Sequence, residues 1–506
     1  MTSGVVDPAR RRLITTFLMM ASFMQVLDTT IANVALPHIQ GSLSATQDQM
    51  AWVLTSYIVV SAIMTPLTGW LASRFGRRRV FLISIVVFTG ASILCGISQT
   101  LPEMIIARIA QGMGGAALVP LAQAVMLDIN PLERQARAMS TWVMGVTLGP
   151  IVGPALGGFL TDNYDWRWVF YINVPVGALA LLGLISTLPE TEKKKSSFDF
   201  FGFVSLSLAV GALQVFLDRG QLKDWFGSPE ICIEAALAVI AFYLFVVHMI
   251  TGRGPHFLST GLFKDSNFIV GSVFIFTVGL VLYASLALLP PLLQGLMNYP
   301  VVTTGLVTAP RGFGSLVSAI IIGRIGTRID PRWLIGSGFA LTALSAWQMS
   351  HFDLQMDSGA VMWSGIAQGL GTAMAYVPMA SAAFATLNPA LRNEGAAFFS
   401  LQRNLGSSIG ISIVETLLTR NTQILHSSLA THVTPYSQLL RVQAHGESLS
   451  ALQLASLNAQ VTEQGAMIAY VDDFRLMMWL ALGAIPLVLL LRKGSRGKVV
   501  EVAAES

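Results

Sequence analysis

Residues 109–120 read "IAQGMGGAALVP" and residues 366–378 read "IAQGLGTAMAYVP". Each stretch is followed, at a spacing that matches to within one residue, by an Asn-Pro pair: Asn130 with Pro131, and Asn388 with Pro389. Upstream, "GWLASRFGRR" from Gly69 has a weaker echo in "GRIGTRIDPR" from Gly323. Recurrence of the same pairs at the same intervals marks an internal duplication, so the chain is built from two related halves. The echoed loops are all basic, which makes the halves face the same way.

The background of this repeat is strongly apolar. Of 506 residues, 53% are hydrophobic and only 11% charged, and the uncharged runs are longer than a soluble core uses, which indicates an all-α polytopic membrane protein. Dividing these runs into spans of about 20 residues predicts fourteen transmembrane helices, the first over 13–36 and the last over 474–491. Six helices per half leave two extra, over 200–218 and 229–250, flanked by "LPETEKKKSSFD" and "GRGPHFLSTGLFKDSN" and joined by "DRGQLKDWFGSP". The expected organisation is a six-helix half over 1–188, the extra pair with its linkers over 189–266, and a second half over 267–506. The first segment is long enough to span and is read as a retained helix, not a signal peptide.

The 31 Lys and Arg residues follow the membrane. Most fall in Arg10–Arg12, Arg74–Arg79, Arg134 and Arg137, Lys193–Lys195, Arg324–Arg332 and Arg492–Lys498. These lie on one side of the predicted topology, so the positive-inside rule places both termini in the cytoplasm. The net charge of +4 reflects those loops and gives no indication of nucleic acid. Cys95 and Cys232 sit in apolar runs without metal-ligand spacing and are expected to be buried packing residues; no metal site is expected. A stretch outside the membrane at about 421–470 is too long for a simple connection. Its Leu454, Leu457, Val461 and Ile468 fall near helical spacing and predict a small helical hairpin, whose apolar face would suit either a partner or the protein's own outer surface.

Asp28 interrupts the first apolar segment, "MQVLDTTIANVALP" from Met24. A lone charge at that depth costs about 2.5 to 3.5 kcal/mol on insertion scales. Arg108 on the fourth helix reaches a similar depth, and the repeat has Gly365 in its place. A desolvated carboxylate beside a switchable cation is a proton-coupling site in outline; a fixed ion pair holding two helices together is the structural alternative.

With these motifs in hand, the chain resembles the major facilitator superfamily, specifically its fourteen-span drug:proton antiporters and most closely the EmrB-like multidrug efflux proteins. "LDTTIANVALP" matches the first-helix motif, whose acid the family assigns to proton coupling, here Asp28. "RIAQGMGG" matches the helix-4 motif, carried onto Arg108, Gln111 and Gly112. "WRWVFYINVPVG" from Trp166 and "LDRGQLKDWF" from Leu217 look like fourteen-span hallmarks. "GVTLGPIVGPALGG" puts Gly145, Gly149, Gly153 and Gly157 on one stripe beside Pro150 and Pro154, the antiporter motif. A stripe of this kind permits close helix approach and bending; by physics alone it serves plain helix packing as readily as gating, and the resemblance favours a surface at the interface of the two halves. The cytoplasmic loop motif carries Gly69, Arg74, Gly76, Arg77 and Arg78, but has Ser73 where the family pattern has an Asp, which puts a charge latch built on that carboxylate in doubt.

The remaining intramembrane charges are Arg311, Arg403 and Glu415. They lie in "APRGFGS" and "SLQRNLGSSIGISIVETLLTRN", which resemble second-half segments of the subfamily. Met20, Phe23, Met24, Tyr57, Phe398 and Phe399, with Arg403, are candidates to line a deformable apolar cavity. No GxxxxGK[ST], HExxH or GxSxG motif occurs, so ATP-driven transport and common hydrolase chemistry lose support. The resemblance implies a transporter and not an enzyme. It would use the proton gradient without a cofactor and export hydrophobic or amphiphilic small molecules across a bacterial inner membrane. Its implied partners are the lipid bilayer, a periplasmic membrane-fusion adaptor and an outer-membrane channel. Export of one particular metabolite or siderophore, and a non-transporting sensor or scaffold, are the alternative readings.

Overall fold

The computed structural model describes residues 7–190, 197–252, 257–326, 329–432 and 450–491. Lys193–Lys195, the basic stretch from Arg492, and residues 433–449 of the expected hairpin lie outside these. The described chain is all-α. Its helices are α1 (Pro8–Leu43), α2 (Gln47–Phe75), α3 (Arg77–Ile97), α4 (Leu101–Asp128), α5 (Leu132–Asn163), α6 (Trp168–Thr187), α7 (Phe200–Gly220) and α8 (Pro229–Thr251), then α9 (Ser266–Leu296), α10 (Val302–Ile325), α11 (Pro331–Met349), α12 (Ser358–Ala385), α13 (Arg392–His432) and α14 (Ala451–Leu490). Eleven of them, α1 to α10 and α14, are long and apolar enough to cross a membrane by length and composition alone. The other three are long but richer in small and polar residues, and they turn these inward: Ser345 and Thr342 of α11, Ser364 and Gln368 of α12, and Ser400 and Ser412 of α13 are all buried.

Proline marks where the helices break. Pro120 has no N–H for the carbonyl of Ala116, and α4 turns irregular at residues 116–117. Pro310 opens the second part of α10, and α6 is interrupted at Ile172, just before Asn173 and Pro175. Pro150 and Pro154, by contrast, sit inside a continuous α5.

Within the first six helices, α1 packs on α5 and α6, and α4 on α2 and α3; in the last six, α9 packs on α13 and α12, and α12 on α10 and α11. The two sets meet along α2 with α13 and α5 with α10. The extra helices sit outside this arrangement: α7 touches α2 and α13, and α8 leans on α7. Ile233, Val239, Ile240, Phe242 and Tyr243 of α8 are exposed, an apolar face that suits hydrocarbon and not water. Cys232, expected to be buried, is exposed on this helix, while Cys95 is buried. At the basic-loop end Asp199 ties the pair down. Its carboxylate accepts from the backbone N–H groups of Gly202 and Phe257 and lies 3.0 Å from His248 Nε2. Burial pushes that carboxyl up, but these bonds and the imidazole outweigh it and hold it below the ordinary range.

The expected small hairpin is instead a continuation of the last two helices. α13 runs for 41 residues, about 60 Å at the α-helical rise and twice the thickness of a hydrocarbon core. The outer part of α14 runs alongside it, with Gly465 against the backbone of His426 and a 3.0 Å contact between His426 Nε2 and Asn458 Oδ1. Leu452 and Leu454 near its tip are exposed.

Candidate functional site

Asp28 is fully buried at the middle of α1 and is held by three donors. Arg108 Nη1 donates to its Oδ2 at 2.7 Å, and Gln111 Nε2 and Asn173 Nδ2 donate to its Oδ1 at 2.7 and 2.8 Å. Ser92 Oγ of α3 accepts from both amides, at 2.7 and 3.0 Å. Arg108 is in turn fixed by its Nε donating to the carbonyl of Val53 at 3.0 Å and by Nη1 donating to Gln111 Oε1 at 2.7 Å. Its guanidinium lies 4.3 Å from the centre of the Tyr57 ring, a cation–π contact, and Gln25 Nε2 donates to the Tyr57 hydroxyl. Helices α1, α2, α3, α4 and α6 thus all contribute to one charged network that is closed to solvent. Geometry of this kind suits a carboxylate whose charge is compensated within a low-dielectric interior.

Asn173 and Ser92 are members that sequence reasoning missed. Asn173 lies within the quoted stretch "WRWVFYINVPVG", but only the break in α6 puts it at the start of a helical segment facing Asp28. Ser92 carries no signal in the sequence. Gly112, the neighbour of Gln111, serves approach and not chemistry, since a Cβ there would fall 2.7 Å from the carbonyl of Tyr57 on α2.

The glycine stripe of α5 does not face the other half. A Cβ added at Gly145 would meet Met19, at Gly149 the backbone of Leu27, at Gly153 Thr30, and at Gly157 Ile31, so the stripe seats α5 on α1. The expectation of an inter-half surface is corrected: a different face of α5, at Ala155 and Ser140, looks toward Gly305 and Gly323 of the α10 region. The stripe therefore couples the Asp28 helix to the helix that does contact the other half.

Between the halves lies a cavity of about 150 Å³. Its wall is Val26 of α1, Trp142, Val143, Val146, Thr147 and Pro150 of α5, and residues of α9, α10, α12 and α13. Of the candidates named from sequence Arg403 and Pro150 line it; Met24, Tyr57 and Phe399 are packed in the core, and Met20, Phe23 and Phe398 are half-buried elsewhere. The reason is helical phase: Val26 and Met24 are two residues, or about 200°, apart on α1, so only one of them can face the centre. Pockets that hold drug-sized ligands measure about 300 to 1,000 Å³, so the cavity must widen to admit one. Arg311 lines the same cavity. Glu415 is exposed on α13, on the side of Asp218.

At the basic-loop end a second charge cluster spans the halves. Asp128, the last residue of α4, accepts from Arg77 Nη2 at 2.8 Å and from Arg392 Nη1 of α13 at 2.7 Å. The loop motif, with Ser73, supplies no carboxylate to this cluster; Asp128 of α4 supplies it. Gly76 between α2 and α3 has φ 92°, a left-handed conformation that glycine adopts without strain, and Gly69 lies against the backbone of Glu394 in α13. Removing the clamp with Asp128→Asn is expected to raise severalfold the labelling of a Val143→Cys reporter by an impermeant maleimide applied from the basic-loop side, in a protein with Cys95 and Cys232 changed to Ser. Two charge-assisted bonds at a partly exposed site justify that scale; unchanged labelling would show that the clamp does not hold this end shut.

Comparison with known proteins agrees with this architecture. The family model of the Major Facilitator Superfamily matches residues 18–281 and 271–425. The chain is 36% identical over 492 residues to the multidrug export protein EmrB of Escherichia coli strain K12, covering 96% of this chain and 95% of that one. It is 34% identical over 481 residues to the fatty acid resistance protein FarB of Neisseria gonorrhoeae, covering 94% and 95%. The solved structure of the proton:xylose symporter XylE superposes with a TM-score of 0.61 at 14% identity, over 96% of this chain and 100% of that one, which is a likeness of fold alone.

Proposed function

The chain belongs to the major facilitator superfamily as an EmrB-like transporter, and from that premise we propose that it is a proton-driven antiporter. It exports hydrophobic or amphiphilic toxic compounds across a bacterial inner membrane, with both termini in the cytoplasm. The observation that carries this is the buried Asp28 with its guanidinium and two amide donors, a carboxylate costly to keep unless its proton is used. The halves over 1–188 and 267–506 rock about the central cavity, while the pair over 189–266 stays at the periphery. Opening toward the periplasm wets Asp28, which takes a proton as substrate leaves; reorientation breaks the Asp128 clamp and releases the proton inside. Names of relatives that refer to multidrug export and fatty acid resistance support a broad amphiphilic range. The projecting ends of α13 and α14, with exposed Leu452 and Leu454, are the contact for a periplasmic adaptor that continues to an outer-membrane channel.

Everted membrane vesicles test the reading. Vesicles containing the protein should take up a lipophilic dye when respiration acidifies their lumen, and lose it when an uncoupler collapses the gradient. Uptake that ignores the uncoupler would exclude proton coupling.

A further inference from the structure

The repeat that places Arg108 beside Asp28 in the first half has a counterpart in the second that is chemically incomplete. The position equivalent to Arg108 is Gly365, and beside it, 3.7 Å from where a Cβ would stand, is Arg311 of α10. Arg311 is 8% exposed, and none of its three guanidinium nitrogens has a hydrogen-bond partner among the described residues. It has little freedom to leave. The Arg311 carbonyl lies directly against Gly369 of α12, which fixes the backbone, and the side chain lines the cavity between the halves. Arg403 lines that cavity too, beside Tyr376, with its Nε unpartnered among the described residues. No Asp or Glu is among the described residues that line the cavity, and α9, the counterpart of the Asp28 helix, contains none. Two guanidinium groups on an apolar cavity, without a protein carboxylate, leave the counter-charge to be supplied by what binds.

We infer that Arg311 and Arg403 form an anion-recognising subsite that seats the carboxylate, or a similar anionic head, of an amphiphilic substrate. The tail then lies along Val26, Trp142, Val143 and Val146 on the opposite half, so one ligand touches both halves at once. This rests on the export reading above and adds a consequence to it. Exchange of one incoming proton for one outgoing monoanion moves two charges in the direction the membrane potential favours, whereas exchange for a monovalent cation moves none.

Three ligands that share a ring and differ in head charge test the subsite: 2-naphthoate, 2-naphthylmethanol and 2-naphthylmethylammonium, bound to the full chain in nanodiscs without a proton gradient. The wild-type protein should prefer the carboxylate to the ammonium. Arg311→Gln should lose at least tenfold in naphthoate affinity, the scale of a charge-assisted hydrogen bond, with naphthylmethanol unchanged within about twofold, and Arg311→Lys should recover part of the loss. Wild-type affinity for naphthoate in a folded Arg311→Gln protein, or equal wild-type affinity for the ammonium, overturns the proposal. If Arg311→Gln does not fold, Arg311→Lys and Arg403→Gln carry the test: a weakened carboxylate preference in either supports the subsite, and an unchanged preference in both overturns it. Proteoliposome currents separate this from the export reading. Arginine-dependent naphthoate binding without proton-linked current counts against proton-driven export alone, while proton-driven dye transport with no carboxylate preference counts against the subsite alone.

Discussion

Asp28→Asn is expected to leave substrate binding intact and to abolish uphill transport. The variant reproduces the protonated form of the carboxylate in shape and charge, a state the proposed cycle visits on every turn, so the protein must tolerate it. The network has room for the change: Asn173 Oδ1 has no partner in the described structure, and rotating that amide gives the substituted side chain's NH₂ an acceptor. Arg108 keeps its bonds to Val53 and Gln111. What is lost is the ability to exchange a proton. One proton moving across 100 mV is worth about 2.3 kcal/mol, about a 50-fold accumulation ratio for an uncharged substrate, and in Asp28→Asn vesicles that ratio should fall to about one. Exchange of labelled for unlabelled substrate, which needs no proton, should continue. Gradient-driven accumulation at the wild-type level in Asp28→Asn would remove Asp28 from the coupling mechanism.

How much of this site was legible in the sequence depended on the kind of residue. Asp28 stood out because a charge in an apolar segment is costly, and Arg108 because its repeat partner is a glycine. Asn173 and Ser92 did not stand out, since neutral polar side chains are common in membrane helices and gain a role only when α3 and α6 bring them within 3.0 Å of one another beneath Asp28. The glycine stripe of α5 was readable as a close-packing face, yet glycine spacing says nothing about which helix fills it, and α1 does. Asp128 passed unnoticed because an acid at a helix end near the interface costs little. Its importance lies in reaching Arg392, a residue 264 positions away. The cavity wall was the least legible, because Met and aromatic residues mark apolar surface without fixing the phase of the helix that carries them.

Arg108 is the second residue at which a large effect is expected, and here stability and transport should come apart. Arg108→Ala removes the charge partner of Asp28 and one side of the pair is left buried with only two neutral amide donors. Breaking a buried pair from one side typically costs about 3 to 5 kcal/mol, because an uncompensated charge remains. The single variant should therefore melt markedly lower in detergent. Asp28→Asn combined with Arg108→Ala leaves no buried charge at this site and should recover most of the lost stability. Its transport should stay at background, because neither the proton acceptor nor the cation that drives deprotonation is present. Arg108→Lys keeps the charge but not the planar fork that reaches Val53, Asp28 and Gln111 together, so an intermediate result is expected in both assays. A merely architectural ion pair gives a different pattern: the charge-free double variant would then regain transport along with its melting temperature. That outcome would leave the two groups as a bracket between α1 and α4 and would require the coupling acid to be sought elsewhere.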